Sequence, residues 1–586
     1  MYTLGINAAF HDPAACLVHD GVVVAAAEEE RFNKIKHGKR PVPFSAWELP
    51  FHAIDFCLDR ARLTLCDVAH VAYSFDPRGL LGARAGDPTI AIPLNPAAYP
   101  ENGTEGPWDP LFLSHVLNAP RQLVDGVPLH LRKRFKGACW DSPYRWYFVE
   151  HHEAHAASAF LASPFADAAV LCLDGRGERA TTSYWYGRDA TLDALGTVDV
   201  PHSLGLLYED VTHHLGFLRS SDEYKVMALA SYGEPAFVDQ FRRVVNVRGD
   251  GTYTIEPADF TALFGEARER GGPLEQRHFD VARSLQVVLE ETVVRLAKWL
   301  RRATASPRLC MAGGVALNCV MNARVRDEKI FDEVWVQPAA GDAGTALGAA
   351  LLVDARERGA TTHWNMEHAY LGPAYADDEI EEFLKWSKLP YRRVDDVAES
   401  TAALLADNRV IGWFQGGMEF GPRALGARSI LASPIDPAMQ SRLNDIKDRE
   451  DFRPVAPVIR EEDAAEWFVE ASSAPFMLFT FGVREDKQHR IPAVRHVDGT
   501  ARVQTIRRDQ HARYYDLLSA FERKTGVPVL VNTSFNTRGE PIVCTPRDAI
   551  ESFWTSPLDA LVIGSFIVEK PLEKPIEVPA VTPRLV

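Results

Sequence analysis

Leu4-Gly-Ile-Asn7, Ala14-Ala-Cys-Leu-Val18, His19-Asp-Gly21 and Val22-Val-Val24 read in order as strand, strand, Asp-Gly turn and strand, with a polar turn between the first two strands. The chain then repeats the pattern. Val170-Leu-Cys-Leu173 is an apolar strand, Asp174-Gly-Arg-Gly177 a tight turn, Thr181-Thr-Ser-Tyr-Trp-Tyr186 a second strand, Gly187-Arg-Asp189 a turn and Thr191-Leu-Asp-Ala-Leu195 a third strand. Two copies of one hairpin, each opening on an apolar strand that ends in a tight polar turn, point to an internal duplication.

Between the copies, residues 76–147 are rich in Pro and aromatics with little periodicity and read as an insertion or lid. Leu285, Val288, Leu289, Val293, Leu296 and Leu300 recur at spacings of three and four, so a helix is expected over Val281–Thr304. It leads into the strand Arg308-Leu-Cys-Met311. A Pro-containing joint near Glu367–Ala376 divides the chain into domains 1–366 and 367–586. The duplicated hairpin resembles the way the actin-like (ASKHA) ATPase fold is built. The expected fold is therefore an actin-like duplicated α/β domain, with tight turns facing a nucleotide in the cleft between halves, followed by a second α/β domain.

With 586 residues the chain exceeds a single core. Its 64 basic and 80 acidic residues give a net charge of −16, a poor field for holding nucleic acid or an anionic membrane. No apolar run reaches the ~18 residues of a membrane span, and the first residues lack a secretory pattern. A cytoplasmic protein acting on small molecules is expected, with homodimerisation left open. The eight cysteines form no Cys-x-x-Cys pair, and buried free thiols are expected.

His151-His-Glu-Ala-His155 opens a helix in which spacing i, i+4 puts His151 and His155 on one face. The general-base Glu of a zinc-protease helix is missing from its slot. Asp174 and Asp342 each sit in a turn after an apolar strand, and with the two histidines they make a set suited to Fe²⁺, Mn²⁺ or Zn²⁺. A plain histidine cluster with turn-forming aspartates is the alternative. Gly313-Gly-Val-Ala-Leu-Asn318 follows a strand and exposes backbone amides to a ribose or phosphate, or is an ordinary tight turn.

These segments, together with Asp222-Glu-Tyr-Lys-Val-Met-Ala-Leu-Ala230, Leu4–Asp12, Ala27-Glu-Glu-Glu-Arg-Phe32 and Lys36-His-Gly38, resemble the O-carbamoyltransferases of nodulation-factor and antibiotic tailoring, the NodU type. The first domain of that family is related to the enzymes that make threonylcarbamoyl-adenosine in tRNA. Gly421-Pro-Arg-Ala-Leu-Gly426, Lys447-Asp-Arg449, Phe452–Pro457 and Asn532–Pro541 resemble its YrdC-like domain. The resemblance implies that carbamoyl phosphate and ATP, with Mg²⁺, give carbamoyl adenylate, and that the first domain passes the carbamoyl group to a hydroxyl. It implies iron on His151, His155, Asp174 and Asp342. It assigns nucleotide contacts to Asp12, Gly175, Gly177, Lys225, Gly313, Gly314 and Asn318. Arg219-Ser-Ser-Asp-Glu-Tyr224 stands where some relatives have Gly-Gly-Asp-Asn-Pro-Gly, which bears on Asp222 as a catalytic carboxylate.

An alcohol needs a base, and His11 beside Asp12 is the candidate. Lys36 is the candidate for stabilising negative charge. In the second domain Arg423, Arg428, Lys447, Arg449, Arg502, Arg513 and Arg538, with Arg453, are more cations near apolar segments than a chain of net charge −16 needs for solubility. Guanidinium forks suit carbamoyl phosphate, and Asn532 and Asn536 could bind its amide or phosphate. The leading reading is an ATP-dependent O-carbamoyltransferase acting on a small natural product, a sugar or macrocycle. A tRNA threonylcarbamoyl transferase and a non-catalytic nucleotide or sugar sensor are the competing readings.

Overall fold

In the computed structural model, which describes residues 1–38, 49–81, 116–123, 144–537 and 539–570, the first hairpin copy folds as β1 (Tyr2–Asn7), β2 (Ala14–His19) and β3 (Val22–Glu28). With β4 (His70–Tyr73) and β5 (Arg145–Phe148) it forms a five-stranded sheet in the order β3-β2-β1-β4-β5. The second copy gives β6 (Asp167–Leu173), β7 (Ala180–Arg188) and β8 (Thr191–Asp199), joined by β9 (Arg308–Ala312) and β10 (Glu333–Val336) in the order β8-β7-β6-β9-β10. In each sheet the hairpin pairs are antiparallel and the two later strands run parallel to the first. Identical order and identical polarity establish the duplication read from the sequence. Of the expected insertion 76–147, residues 82–115 and 124–143 lie outside the described residues.

Three helices decide where the site lies: α1 (His151–Phe160), α2 (Gln276–Thr304) and α3 (Ala343–Arg358). α2 starts five residues before the apolar periodicity does, because the His278 ring accepts the Glu275 N–H at 2.9 Å and caps the extra turn. α3 packs against β1 and against α1 through small residues. A Cβ on Gly5 would stand 1.9 Å from the Ala346 carbonyl oxygen, and one on Gly348 would stand 1.9 Å from that of Ala154. Only glycine permits these two approaches, and they fix α3 against β1 and against α1.

The second domain is built on an eight-stranded mixed sheet of β11 (Tyr391–Arg393), β12 (Ile411–Phe414), β13 (Arg428–Ala432), β14 (Ala456–Arg460), β15 (Gln504–Ile506), β16 (Val529–Ser534), β17 (Ala560–Ile563) and β18 (Phe566–Glu569). Its order is β11-β18-β17-β12-β13-β16-β14-β15. The fold class is thus the expected α/β one, with the duplication read from the sequence in the first domain and a second α/β domain built on a mixed sheet. The joint at 367–376 packs on the first domain, where Ala26 N–H donates to the Leu371 carbonyl.

Six cysteines are buried free thiols, but Cys66 is disulfide-bonded, which corrects the expectation of free thiols throughout. Sequence spacing does not reveal which cysteines the fold brings together. Among the described residues no helix is long and apolar enough to cross a membrane.

Candidate functional site

The packing of α1 on α3 brings His151 and His155 to face Asp342, which immediately precedes α3, and Asp174, which follows β6. All four are buried, with their ligand atoms within 4.8 Å of one another. His151 Nε2 lies 3.6 Å from both Asp174 Oδ2 and Asp342 Oδ1, and His155 Nε2 lies 3.8 Å from each. These separations exceed hydrogen-bond length, and neither Nε2 has a hydrogen-bond partner among the described residues. Buried imidazole nitrogens without partners are costly unless an ion supplies one. The set therefore fits a divalent transition metal with two nitrogen and two oxygen ligands.

The surroundings prepare that set. His151 Nδ1 engages the Ser74 carbonyl at 3.2 Å, which leaves the Nε2 lone pair toward the carboxylates. Both Glu178 carboxylate oxygens accept the His151 N–H, at 3.0 and 3.1 Å, and hold the start of α1. Asp174 Oδ1 accepts the Gly314 N–H at 2.7 Å, tying the glycine loop to the quartet. Burial opposes charge on all three titrating groups, yet the opposite charges prevail: Asp174 and Asp342 are held below the usual carboxylate range beside the histidines, and His151 well above its ordinary value by the two aspartates.

In the glycine loop, Gly313 has φ +90° and a Cβ there would meet the Leu173 carbonyl oxygen at 2.2 Å, so glycine is required. Gly177 lies against the His151 and His152 side chains, and Gly175 beside Leu206 and Glu209. Asn318 is occupied in the fold: its Oδ1 accepts Met321 N–H at 2.9 Å and its amide pairs with Gln286. Asp12 is engaged on both oxygens, by His11 Nδ1 at 2.8 Å and by His37 Nδ1 at 2.9 Å. At hydrogen-bond length this is a relay rather than an ion cage. Burial opposes ionisation of Asp12, but the two imidazoles hold it well below the usual range. His37, twenty-five residues from Asp12, was not singled out by the sequence reading. Phe10, next to His11, packs edge-on to the His151 ring at 5.2 Å and so links the relay to the quartet.

Asp222 accepts Leu218 N–H at 3.1 Å and lies 3.3 Å from Lys225, whose Nζ also reaches Glu450 of the second domain at 2.8 Å. Those contacts give Asp222 and Lys225 a bracing position at the domain boundary. Tyr224 between them has Arg453 over its ring at 4.7 Å and Lys36 at 6.0 Å, one cation from each domain. Burial, and Arg453 and Lys225 nearby, lower the Lys36 ammonium from its ordinary value.

In the second domain the predicted cations separate into two groups. Arg423, Lys447, Arg449 and Arg502 form a cluster in which Lys447 is buried and the three arginines are half-buried. Burial and then Arg502 push Arg423 down to about 9, and burial with Arg453 and Arg502 does the same to Arg449. Burial, then Arg449, Arg453 and Lys36, hold Lys447 well below an ordinary ammonium. Arg423 Nε, Arg449 Nη2 and Arg502 Nε have no hydrogen-bond partner among the described residues. Mutually repelling, largely desolvated cations with unused donors are suited to receiving an anion. Lys447 is held on Ser534 and on the Asn536 carbonyl and side chain, both at 2.8 Å for Asn536.

The other group makes contacts within the fold. Arg428 is fully buried, donates to the carbonyls of Gln415, Gly416, Ala427 and Pro373, and lies 3.6 Å over the Phe414 ring. Arg513 is exposed and pairs with Gln415. Asn532 donates to the Ala424 carbonyl and to Gln504, bracing the loop that carries Arg423. Arg538 lies outside the described residues.

Residues 2–77 and 140–351 match the family Carbamoyltransferase N-terminus, and residues 402–570 match Carbamoyltransferase C-terminus. Protein sll1178 of Synechocystis sp. is 40% identical over 97% of this chain and 97% of its own. Nodulation protein NolNO of Sinorhizobium fredii is 39% identical over 97% of this chain and 80% of its own. Nodulation protein U of Bradyrhizobium diazoefficiens is 33% identical over 90% of this chain and 91% of its own. With both family segments in order and relatives aligned end to end, this chain belongs to the carbamoyltransferase family and is a carbamoyltransferase enzyme.

Proposed function

We propose that this enzyme is an ATP-dependent O-carbamoyltransferase that moves the carbamoyl group of carbamoyl phosphate, through carbamoyl adenylate, to a hydroxyl of a small natural product such as a sugar or macrocycle. The observation that carries the reading is the second-domain cluster of Arg423, Arg449 and Arg502 beside Lys447, in which the unused guanidinium donors fit a compact dianion. It stands at the boundary with the first domain: Arg423 Nη2 reaches the Leu317 carbonyl at 2.9 Å. In the first step carbamoyl phosphate yields its phosphate to water. The carbamate oxygen then attacks the α-phosphorus of Mg²⁺-bound ATP, and pyrophosphate leaves.

In the second step the acceptor oxygen attacks the carbamoyl carbon while its proton passes to His11. The bond from that carbon to the adenylate oxygen breaks, and AMP departs with the electron pair. Because His11 Nδ1 faces Asp12, Nε2 is the atom that takes the proton, and Asp12 stabilises the imidazolium formed. Fe²⁺, or another divalent transition metal, on His151, His155, Asp174 and Asp342 supplies Lewis-acid polarisation of a substrate oxygen when bound. Gly313 and Gly314 let the nucleotide approach the backbone, and Lys36 offsets negative charge between the domains. The net charge of −16 favours no polynucleotide acceptor. Mass spectrometry of the purified protein with ATP, carbamoyl phosphate and a panel of hydroxyl compounds tests the reading. A product heavier by one CONH, formed only with both cosubstrates, supports it; an ATP-independent product contradicts it.

A further inference from the structure

The chain between β12 and β13 leaves the second-domain sheet and crosses to the first domain. Gly421 in this segment is gripped on both peptide polar groups. Its N–H donates to Glu28 Oε1 at 2.8 Å, and its carbonyl accepts Arg31 Nη2 at 2.9 Å. Glu28 and Arg31 are themselves paired, Nη2 to Oε1 at 3.0 Å and Nε to Oε2 at 3.4 Å, and Arg31 Nη1 reaches Glu30 at 2.6 Å. Both side chains are buried, Arg31 to 3% exposure. A buried ion pair is poor evidence of stabilisation by itself, but one completed by the two polar groups of a single glycine fixes where that glycine sits.

Gly421 has φ +119°, and a Cβ there would stand 3.0 Å from the Pro338 carbonyl oxygen. No other residue type fits without strain. Glu419 Oε1, at the other end of the bend, accepts the N–H groups of Leu425 and Ala427 at 2.7 Å and of Arg428 at 3.2 Å, folding the segment back into the sheet. Two residues beyond Gly421, Arg423 donates to the Leu317 carbonyl at 2.9 Å. Leu317 ends the turn Gly314–Leu317, whose first N–H is held by Asp174. The segment is thus fastened to the first half of the actin-like domain by Glu28 and Arg31, and to its second half by Arg423.

We propose that the Glu28–Arg31 pair is a clamp that positions Arg423, making Arg423 the shared contact through which the second-domain anion site and the glycine loop of the first domain are coupled. Glu28 and Arg31 are positioning residues: they reach Gly421, and Arg423 reaches the anion. What the anion site binds rests on the function proposed above; the clamp itself does not.

Two readouts on the full-length protein separate these. Hydrogen exchange followed in peptides spanning residues 418–427 reads the clamp alone: Glu28→Gln, which keeps an acceptor for the Gly421 N–H but loses the charge and the second acceptor that hold the Arg31 fork, should speed exchange there about tenfold, the cost of one lost buried hydrogen bond. Arg31→Lys, which keeps the charge and loses the fork, gives the same readout should Glu28→Gln fail to fold. Unaltered exchange overturns the clamp. Calorimetric titration with carbamoyl phosphate then reads the coupling: Arg31→Lys should weaken binding about tenfold in the wild-type background and not at all in an Arg423→Ala background. Losses that add in the double variant overturn the coupling. Wild-type protein that does not bind carbamoyl phosphate refutes the proposed ligand instead, and the exchange result then decides the clamp by itself.

Discussion

His151 Nε2 stands 3.6 Å from Asp342 Oδ1, too long for a hydrogen bond, and that nitrogen has no hydrogen-bond partner among the described residues. Purified protein is therefore expected to carry about one transition metal per chain. His155→Ala and Asp342→Ala should each lower that content at least tenfold by elemental analysis, with far-ultraviolet circular dichroism retained. Unchanged metal content in both variants would remove the assignment.

The anion cluster makes a separate prediction. Arg502→Ala should reduce carbamoyl phosphate-dependent pyrophosphate release on the order of 10²-fold, in line with losing a charge-assisted contact to a dianion. Its metal content should match wild type, because the two sites share no ligand. Pyrophosphate release at the wild-type rate would move the chemistry elsewhere.

Arg428 is predicted to behave differently from its neighbours in sequence. Four carbonyls and the Phe414 ring hold it, so Arg428→Met should destabilise the fold by roughly 3 kcal/mol or more through orphaned buried acceptors. Denaturant unfolding measures this. Normal stability with lost carbamoyl phosphate affinity would instead make Arg428 a ligand.

Transfer and adenylate formation should part company at His11. His11→Asn keeps a polar side chain but not the titrating site, so carbamoyl transfer should fall on the order of 10²–10⁴-fold while adenylate still forms. Rapid-quench assays of both half-reactions decide it. Transfer at the wild-type rate removes the base role; loss of both halves makes His11 a nucleotide or structural residue.

Stability should depend on acid through His511, whose Nδ1 accepts Tyr514 N–H and caps the helix Ala512–Thr525. Burial lowers this imidazole to about 4 against an ordinary value of 6.5. The unfolded chain therefore binds more protons than the folded one between those values. The cap is intact above pH 6.5 and is lost as pH falls toward 4, at up to ~1.4 kcal/mol per pH unit. Urea midpoints from pH 7 to 5 should fall less steeply in His511→Asn, which can still cap; equal slopes would contradict the linkage.

The duplicated hairpin was legible because alternation and Asp-Gly turns are local signals, and both sheets followed from it. His151 and His155 were legible from i, i+4 spacing, and Asp174 and Asp342 from their turns after apolar strands. His37 was not, since only the fold carries it to the second oxygen of Asp12. The arginines show the limit of counting charges: Arg423 and Arg428 are five residues apart in one motif and each leaves its Nε unpartnered, yet Arg428 places both terminal nitrogens on carbonyls while Arg423 sits half-buried beside Arg502. Which guanidinium finds carbonyl partners depends on chain crossings such as Pro373 over β13, and these leave no trace in local sequence. The Glu28–Arg31 grip on Gly421 joins residues 393 apart and was likewise invisible.

The most direct test of the central claim is a single-turnover experiment with ATP radiolabelled in its α-phosphate, carbamoyl phosphate and a hydroxyl acceptor identified by mass spectrometry. The account predicts that, before acceptor is added, pyrophosphate and labelled carbamoyl adenylate appear together. On addition of acceptor, the label passes to AMP in step with carbamoylated product. Carbamoylated product formed without pyrophosphate release, or with label in ADP, would contradict it.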